Sequence, residues 1–285
     1  MMAVWAKVKI YYDTLLGQSG AALTASTEAS EDSRVDNISG MMETTMWKAA
    51  DLTDPHFITL DTGLGSVRSS ADYLAVYGHN LGTASAEVTL QHSEDGVNYT
   101  DSFQATCVRS DKAFLKEFTN PGARRYWRLK ITGHRVEPCI SICAWGVATE
   151  LDYASSSYDP NEEEAVAEVN LSYGGHVAGI HTRYTEKSMS LKFEDVDVRP
   201  SGYFADGSYR ADGAITAKGS DTVTLYEKVR RWWDISGMRN FFVGWETSGK
   251  PAEVFLMRPE GKFKNPLKGG GCYRDISIKL KGRKE

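Results

Sequence analysis

The run Tyr73-Leu74-Ala75-Val76-Tyr77, closed by Gly78-His79-Asn80, constrains the fold more than any other stretch of the chain. Five apolar residues in unbroken succession, short and ended by a turn signal, predict a strand covered on both faces. Such a strand needs a second layer, and the neighbouring sequence supplies more strands. "HFITLDTG", "AEVTLQHS", "AFLKEF", "RYWRLKITG" and "ISICAWGVATEL" recur at short spacing between turn residues. Several such strands in succession predict a β-sandwich over the first half. Asp95-Gly96, between the alternating run Val88, Leu90 and the aromatic Tyr99, reads as the reversing turn of a hairpin.

Length then bounds the domain count. At 285 residues the chain has room for two domains, and a formal net charge of −5 favours neither a nucleic-acid binder nor a disordered tail. No apolar run approaches the roughly 18 to 20 residues needed to span a bilayer. The opening "MMAVWAKVKIYYDTLL" lacks an apolar signal core and a small-residue cleavage site. A protein made and kept in the cytoplasm is expected, or one that leaves by a route needing no signal.

Of the four cysteines, Cys139 and Cys143 stand four apart. On one extended strand they share a face about 13 Å apart, beyond disulfide reach. With Cys107 and Cys272 they are expected as free thiols, and no second pair completes a zinc pattern.

"DYASSSYDPNEEEAVAE", Asp152 to Glu168, has no apolar period and reads as an exposed acidic linker, assigned to residues 153–168. Beyond it, "SMSLKFEDVDV" and "CYRDISIKLKG" alternate as half-buried strands, "FFVGWET" and "AEVFLMRPEG" are strands joined by the turn "SGKP", and one helix is expected near 221–236. Its cap types are Ser220, Asp221 and Thr222, its apolar period is Val223, Tyr226, Val229 and Trp233, and Gly237 offers a left-handed stop. The predicted fold class is therefore mainly β. An N-terminal segment (1–20) precedes a β-sandwich (21–152), and a β-barrel or sandwich with one packed helix (169–285) follows the linker.

The first half resembles the galactose-binding-like jelly rolls of the discoidin, or coagulation factor 5/8 type C, group. The resemblance is carried in order by Ser26 to Ser30, Thr45-Met46-Trp47, Asp61-Thr62-Gly63, Tyr77-Gly78-His79-Asn80, Ser93-Glu94-Asp95-Gly96 and Tyr126-Trp127-Arg128-Leu129. It implies a ligand site on the loops at one end of the sandwich for sugars, lipid head groups or proteins. Arg34, His56, His79, Asn80, Arg109 and Arg124 are the candidate ligand residues there, weighed against solvated or turn-stabilising roles. The resemblance also implies a structural calcium held by Thr45 and Glu150. The usual Asp-Gly of that loop is Ser39-Gly40 here, and the missing carboxylate disfavours the ion, so no cofactor is expected.

The second half is similar, more loosely, to the tail-tube-like fold of bacteriophage tail and baseplate proteins. That resemblance implies a virion protein assembled in the host cytoplasm, a homo-oligomer whose partners are other tail or baseplate proteins. From Lys250 onward ten Lys and Arg face four acids, so a basic end could meet DNA in a tail channel or an acidic neighbour, against a plain solvated surface. No catalytic motif is present: no Gly-x-Ser-x-Gly, no phosphate loop and no His-Glu-x-x-His. His176 and His181 suggest a metal pair but lack a third ligand. The expected function is non-enzymatic: a structural tail-tip or baseplate component whose jelly roll is displayed outward toward a host surface glycan. The alternatives are a free-standing lectin-like carbohydrate-binding protein and a glycan-active enzyme.

Overall fold

A computed structural model describes residues 7–63, 69–155, 159, 162–197, 224–237, 239–245, 247, 249–250, 253–268 and 273–283. The strands are β1 (Lys9–Thr14), β2 (Ala22–Ala25), β3 (Trp47–Lys48), β4 (His56–Asp61), β5 (Tyr73–His79), β6 (Glu87–Ser93), β7 (Thr100–Asp101), β8 (Thr106–Cys107), β9 (Phe114–Glu117), β10 (Tyr126–Thr132) and β11 (Cys139–Glu150), followed by β12 (Glu162–Leu171) and β13 (Val177–Asp197). After the helix α1 (Leu225–Ser236) come β14 (Phe241–Gly244), β15 (Phe255–Pro259), β16 (Leu267–Lys268) and β17 (Tyr273–Arg283). The protein is mainly β, and among the described residues no helix is long and apolar enough to cross a membrane.

Contacts divide the chain into two compact units, one formed by Lys9–Thr149 with Asn240–Leu256, the other by Met1–Val8, Glu150–Arg239 and Met257–Glu285. The first is an antiparallel jelly-roll sandwich. One layer runs β2-β4-β10-β6-β7 with β8 on β6, and the other runs β9-β5-β11-β1-β14 with β3 on β11. β1 comes from the stretch read as an N-terminal segment, and β14 from the distal half of the sequence.

Alternation explains the packing. Ile58 and Leu60 of β4, Val88 and Leu90 of β6, and Trp127, Leu129 and Ile131 of β10 turn inward against Leu74, Val76, Cys143 and Trp145 of the facing layer. β5 is buried on both faces, as its unbroken apolar run requires. Its other side, Tyr73, Ala75 and Tyr77, packs with Tyr11, Ile142, Phe242 and Leu256. Trp47, Trp127 and Trp145 are fully buried. Each contributes about 4 to 6 kcal/mol of transfer free energy before entropy is counted.

In the second unit β12, β13, β17 and β15 lie in order, with β16 on β17. Met189, Leu191 and Phe193 of β13 face Leu280, Ile278 and Ile276 of β17, all buried. The helix packs on β13. It begins at Thr224, in a capping box with Glu227, and buries Leu225, Val229 and Trp232. The expected face, with Tyr226 and Trp233, is thus one residue out of register, because adjacent tryptophans satisfy either phase. The expected caps Ser220 to Thr222 and the period residue Val223 lie outside the described residues. Gly237 is not a left-handed stop: its φ is −55°, and it donates to the Trp233 carbonyl. Its glycine is required by close approach, since a Cβ there would sit 2.7 Å from that carbonyl oxygen.

β12 starts inside the stretch read as linker. "EEEAVAEV" has no apolar period because most of both faces of that strand stand in solvent. Cys272, and Ser248 and Pro251 of the "SGKP" turn, lie outside the described residues, while Cys107, Cys139 and Cys143 are free thiols.

Candidate functional site

The turn at Asp95-Gly96 is built as a polar knot. The Asp95 carboxylate accepts from the Val97 and Asn98 backbone N–H groups, the Asn98 amide and the Ser93 hydroxyl, which together hold its pKa far below the usual carboxylate range. Gly96 has φ +72°, and a Cβ there would press on the Tyr126 ring at 3.2 Å. The knot sets down Tyr99 at the entry to β7, over the outer face of β10.

Strand register places the expected ligand residues. β2 ends, β4 begins, β5 hands over to β6 and β10 hands over to β11 at one end of the sandwich, where Ile131 pairs His56, Thr132 pairs Glu87 and Ile140 pairs His79. Arg34, His56, His79, Asn80 and Arg109 all belong to strand ends or loops there. Arg124, bridged to Ser69, lies at the opposite end.

Most of these side chains are engaged within the fold. His56 is fully buried; its Nδ1 meets the Ser26 and Thr27 hydroxyls, its Nε2 lies 3.0 Å from the Asp51 carbonyl, and its ring lies 4.8 Å from that of His134. Burial and the neighbouring His56 push the His134 pKa down. His79 accepts from the Leu81 N–H through Nδ1, and burial lowers its pKa to about 4. Asn80 clamps the turn, donating to the Glu137 carbonyl and accepting from the Cys139 N–H. Arg124 pairs Glu94 at 2.8 Å. Arg34 and Arg109 are the exposed members.

Thr45 precedes the buried Trp47, whose indole donates to the Thr27 carbonyl. Glu150 belongs to the other unit and pairs Lys7 at 3.2 Å. His176 and His181 are both exposed on the β12–β13 hairpin. Among the described residues no three His, Cys, Asp or Glu side chains gather as a metal site.

Aromatic and planar polar groups converge instead on the outer face of the β4-β10-β6 layer. Arg128 stands opposite Thr59 on one side and Gln91 on the other. Its guanidinium carbon lies 3.6 Å from the Tyr99 ring centroid and 4.3 Å from that of Phe57. Nε and one Nη donate to Gln91 Oε1 at 2.9 and 2.7 Å, and the Gln91 amide donates to Asp101 at 2.6 Å. Beside them Arg125 holds Asp61 through two bonds of 2.8 Å and lies over Tyr126. Burial lowers the Arg128 pKa and raises that of Tyr99, while Arg125 pulls Asp61 down.

Phe57, Tyr99, Tyr126 and Arg128 are all half-buried. The face therefore offers ring surface next to donors and acceptors in fixed planes, which is what hydroxyl-bearing rings require. Sequence reasoning missed Phe57, Gln91, Tyr99, Asp101 and Arg128 as a group. The outward alternation of Tyr126, Arg128 and Lys130 was the available signal.

No family model matches the chain, and no curated protein matches it. Among solved structures it is similar to chitosan-binding module 1 of a Paenibacillus sp. IK-5 chitosanase/glucanase, at 21% identity over 47% of this chain and 98% of that one, with a TM-score of 0.39. It is also similar to the Clostridium perfringens module CpGH89CBM32-5 in complex with GalNAc-β-1,3-galactose, at 18% identity over 46% and 99%, TM-score 0.39. A pectin-binding carbohydrate-binding module matches at 20% identity over 44% and 89%, TM-score 0.36. These likenesses cover less than half of the chain at low identity.

Proposed function

We propose that the sandwich is a carbohydrate-binding domain, lectin-like rather than catalytic, whose ligand lies on the outer face of the β4-β10-β6 layer. The observation that carries this reading is the half-exposed Tyr99–Arg128–Phe57 stack with Gln91 and Asp101 alongside. Sugar recognition combines ring stacking with bidentate hydrogen bonds to paired hydroxyls, and this cluster supplies both from rigid strands. The sequence resemblance to galactose-binding-like jelly rolls supports the same class of ligand.

Affinity electrophoresis of the full chain through gels containing chitosan, galactan or pectin tests it. Retardation by at least one polysaccharide, weakened about tenfold in Y99A and R128Q and unchanged in R109A, is expected. Migration unaltered by every polysaccharide, and on a glycan array, would sink the reading.

A second reading concerns setting. The tail-tube-like resemblance of the second unit suggests that the sandwich is carried outward by an oligomer, such as a phage-like tail tip in the virion. The observation that favours it is the long β12–β13 hairpin, which bears apolar side chains in solvent. Immunogold labelling of particles from a lysate of the source tests this: gold at one end of tails is expected, and antigen left soluble beside unlabelled particles would refute it.

A further inference from the structure

One row of side chains crosses the outer face of the β4-β10-β6 layer. Thr24 of β2 pairs Thr59 of β4, Thr59 pairs Arg128 of β10, Arg128 pairs Gln91 of β6, and Gln91 pairs Asp101 of β7. Directly paired residues share one side of a sheet, and so do residues two apart on a strand. Lys130, which pairs Phe57, and Tyr126, which pairs Asp61, therefore stand on the same side as Arg128. Trp127 and Leu129, which alternate with them, are fully buried, so this side is the outer one.

The charges on this face are unequally matched. Its carboxylates are engaged: Asp61 accepts from Arg125 through two bonds of 2.8 Å, and Asp101 accepts from the Gln91 amide at 2.6 Å. The outward cations of β10 have no such partner. Arg128 donates through Nε and one Nη to the neutral Gln91, and no carboxylate among the described residues lies within ion-pair distance of it. The rest of its donor fork is unused. Lys130 enters no hydrogen bond or ion pair among the described residues. Tyr99 and Phe57 take the place of water over the guanidinium, and burial lowers its pKa, as expected of a cation short of both solvent and countercharge. What the face lacks is an anion.

We infer that the glycan held on this face is a uronic acid polymer, one of its carboxylates lying on the unused N–H groups of Arg128 and on the Lys130 ammonium, with the sugar ring beside Phe57. This rests on the carbohydrate-binding reading above and names its ligand class. Residues two apart on a strand stand about 7 Å apart, which the long lysine stem can close around one carboxylate. The planar guanidinium fork matches the two oxygens of a carboxylate, and such charge-assisted pairs are the stronger kind of hydrogen bond. A neutral glycan would leave both cations without a countercharge, and a cationic one would be repelled.

Calorimetric titration of the full chain, at about 0.15 M salt, with polygalacturonate, alginate and the carboxyl-reduced form of each tests the inference. Reduction turns each carboxylate into a hydroxymethyl group and keeps the chain of rings. At least one acid polymer is expected to bind about tenfold more tightly than its reduced form. K130Q, at a half-buried position with no partner to lose, is expected to fold as wild type and to narrow that preference several-fold; R128Q is expected to abolish it. Equal affinity for the acid and reduced forms, or binding of neutral glycans alone, would overturn the anionic ligand while leaving carbohydrate binding standing. So would an acid preference that both variants retain, or that polyacrylate reproduces in strength, since a general attraction for polyanions would explain it. No binding of these polymers or of any glycan on an array would overturn both readings.

Discussion

The guanidinium carbon of Arg128 lies over the phenol ring of Tyr99, 3.6 Å from its centroid, at the surface of the sandwich. The charge is half-buried and bonded to the neutral Gln91 amide, so the aromatic faces of Tyr99 and Phe57 supply part of what water would otherwise give it. A lysine keeps the charge but loses the planar stack and the bidentate donation to Gln91. R128K is expected to lose about 1 to 2 kcal/mol of stability in urea melts. Its polysaccharide retardation is expected to fall with it.

Gly146 tests the packing of the other layer. A Cβ there would lie 1.8 Å from the Asp13 carbonyl oxygen, a backbone atom that cannot swing aside. G146A therefore forces β11 away from β1 and is expected to cost about 3 kcal/mol or more, read as a clear drop in melting temperature. Gly20 meets nothing within 4 Å but has φ +84°, so G20A serves as a milder control, strained only by its backbone.

His79 gives a pH window. Burial lowers its folded pKa from 6.5 to about 4, against the pull of Asp111. Between those values the unfolded chain binds the proton and the folded chain does not, so stability is full above pH 6.5 and falls as the pH drops toward 4. The expected loss is on the order of 2 to 3 kcal/mol. In H79Q the melting temperature should fall less over that window; a slope equal to that of wild type would assign the titration elsewhere.

Legibility in the sequence followed burial. β4, β5, β6, β10 and β11 were readable because each presents at least one apolar face at period two, or two faces at once. β12 was not, since a strand mostly in solvent on both sides carries no such mark. The adjacent Trp232 and Trp233 gave the helix two equivalent phases, and only packing on β13 chose between them. The candidate surface was the least legible part. Phe57, Tyr99 and Arg128 come from three segments, and they meet only because the β4-β10-β6 register sets Arg128 opposite Thr59 and Gln91 and diagonal to Phe57. His56 and Asn80 had the chemistry of ligand residues, but both spend it on the loops that close one end of the sandwich.

Glu117 ties that sandwich together through an internal polar cluster. Its carboxylate accepts from Lys9 at 2.8 Å, from Tyr11 at 3.1 Å and from Thr247 at 2.5 Å, linking β9, β1 and the chain after β14. Burial alone would raise its pKa, yet the bonds from Lys9 and Thr247 and the Lys9 charge bring it below the ordinary 4.5. A depressed folded value means that the stabilisation is present above pH 4.5 and is lost as the pH falls through the folded value. This is a lower window than that of His79, so the two separate in a melting series. E117Q keeps the shape but leaves Lys9 without its countercharge. It is expected to melt lower at pH 7 by the equivalent of about 1 to 3 kcal/mol and to show a shallower decline below pH 4.5. An E117Q chain as stable as wild type at pH 7 would mean that the cluster orders these strands without stabilising them, an outcome that buried ion pairs allow when desolvation offsets attraction.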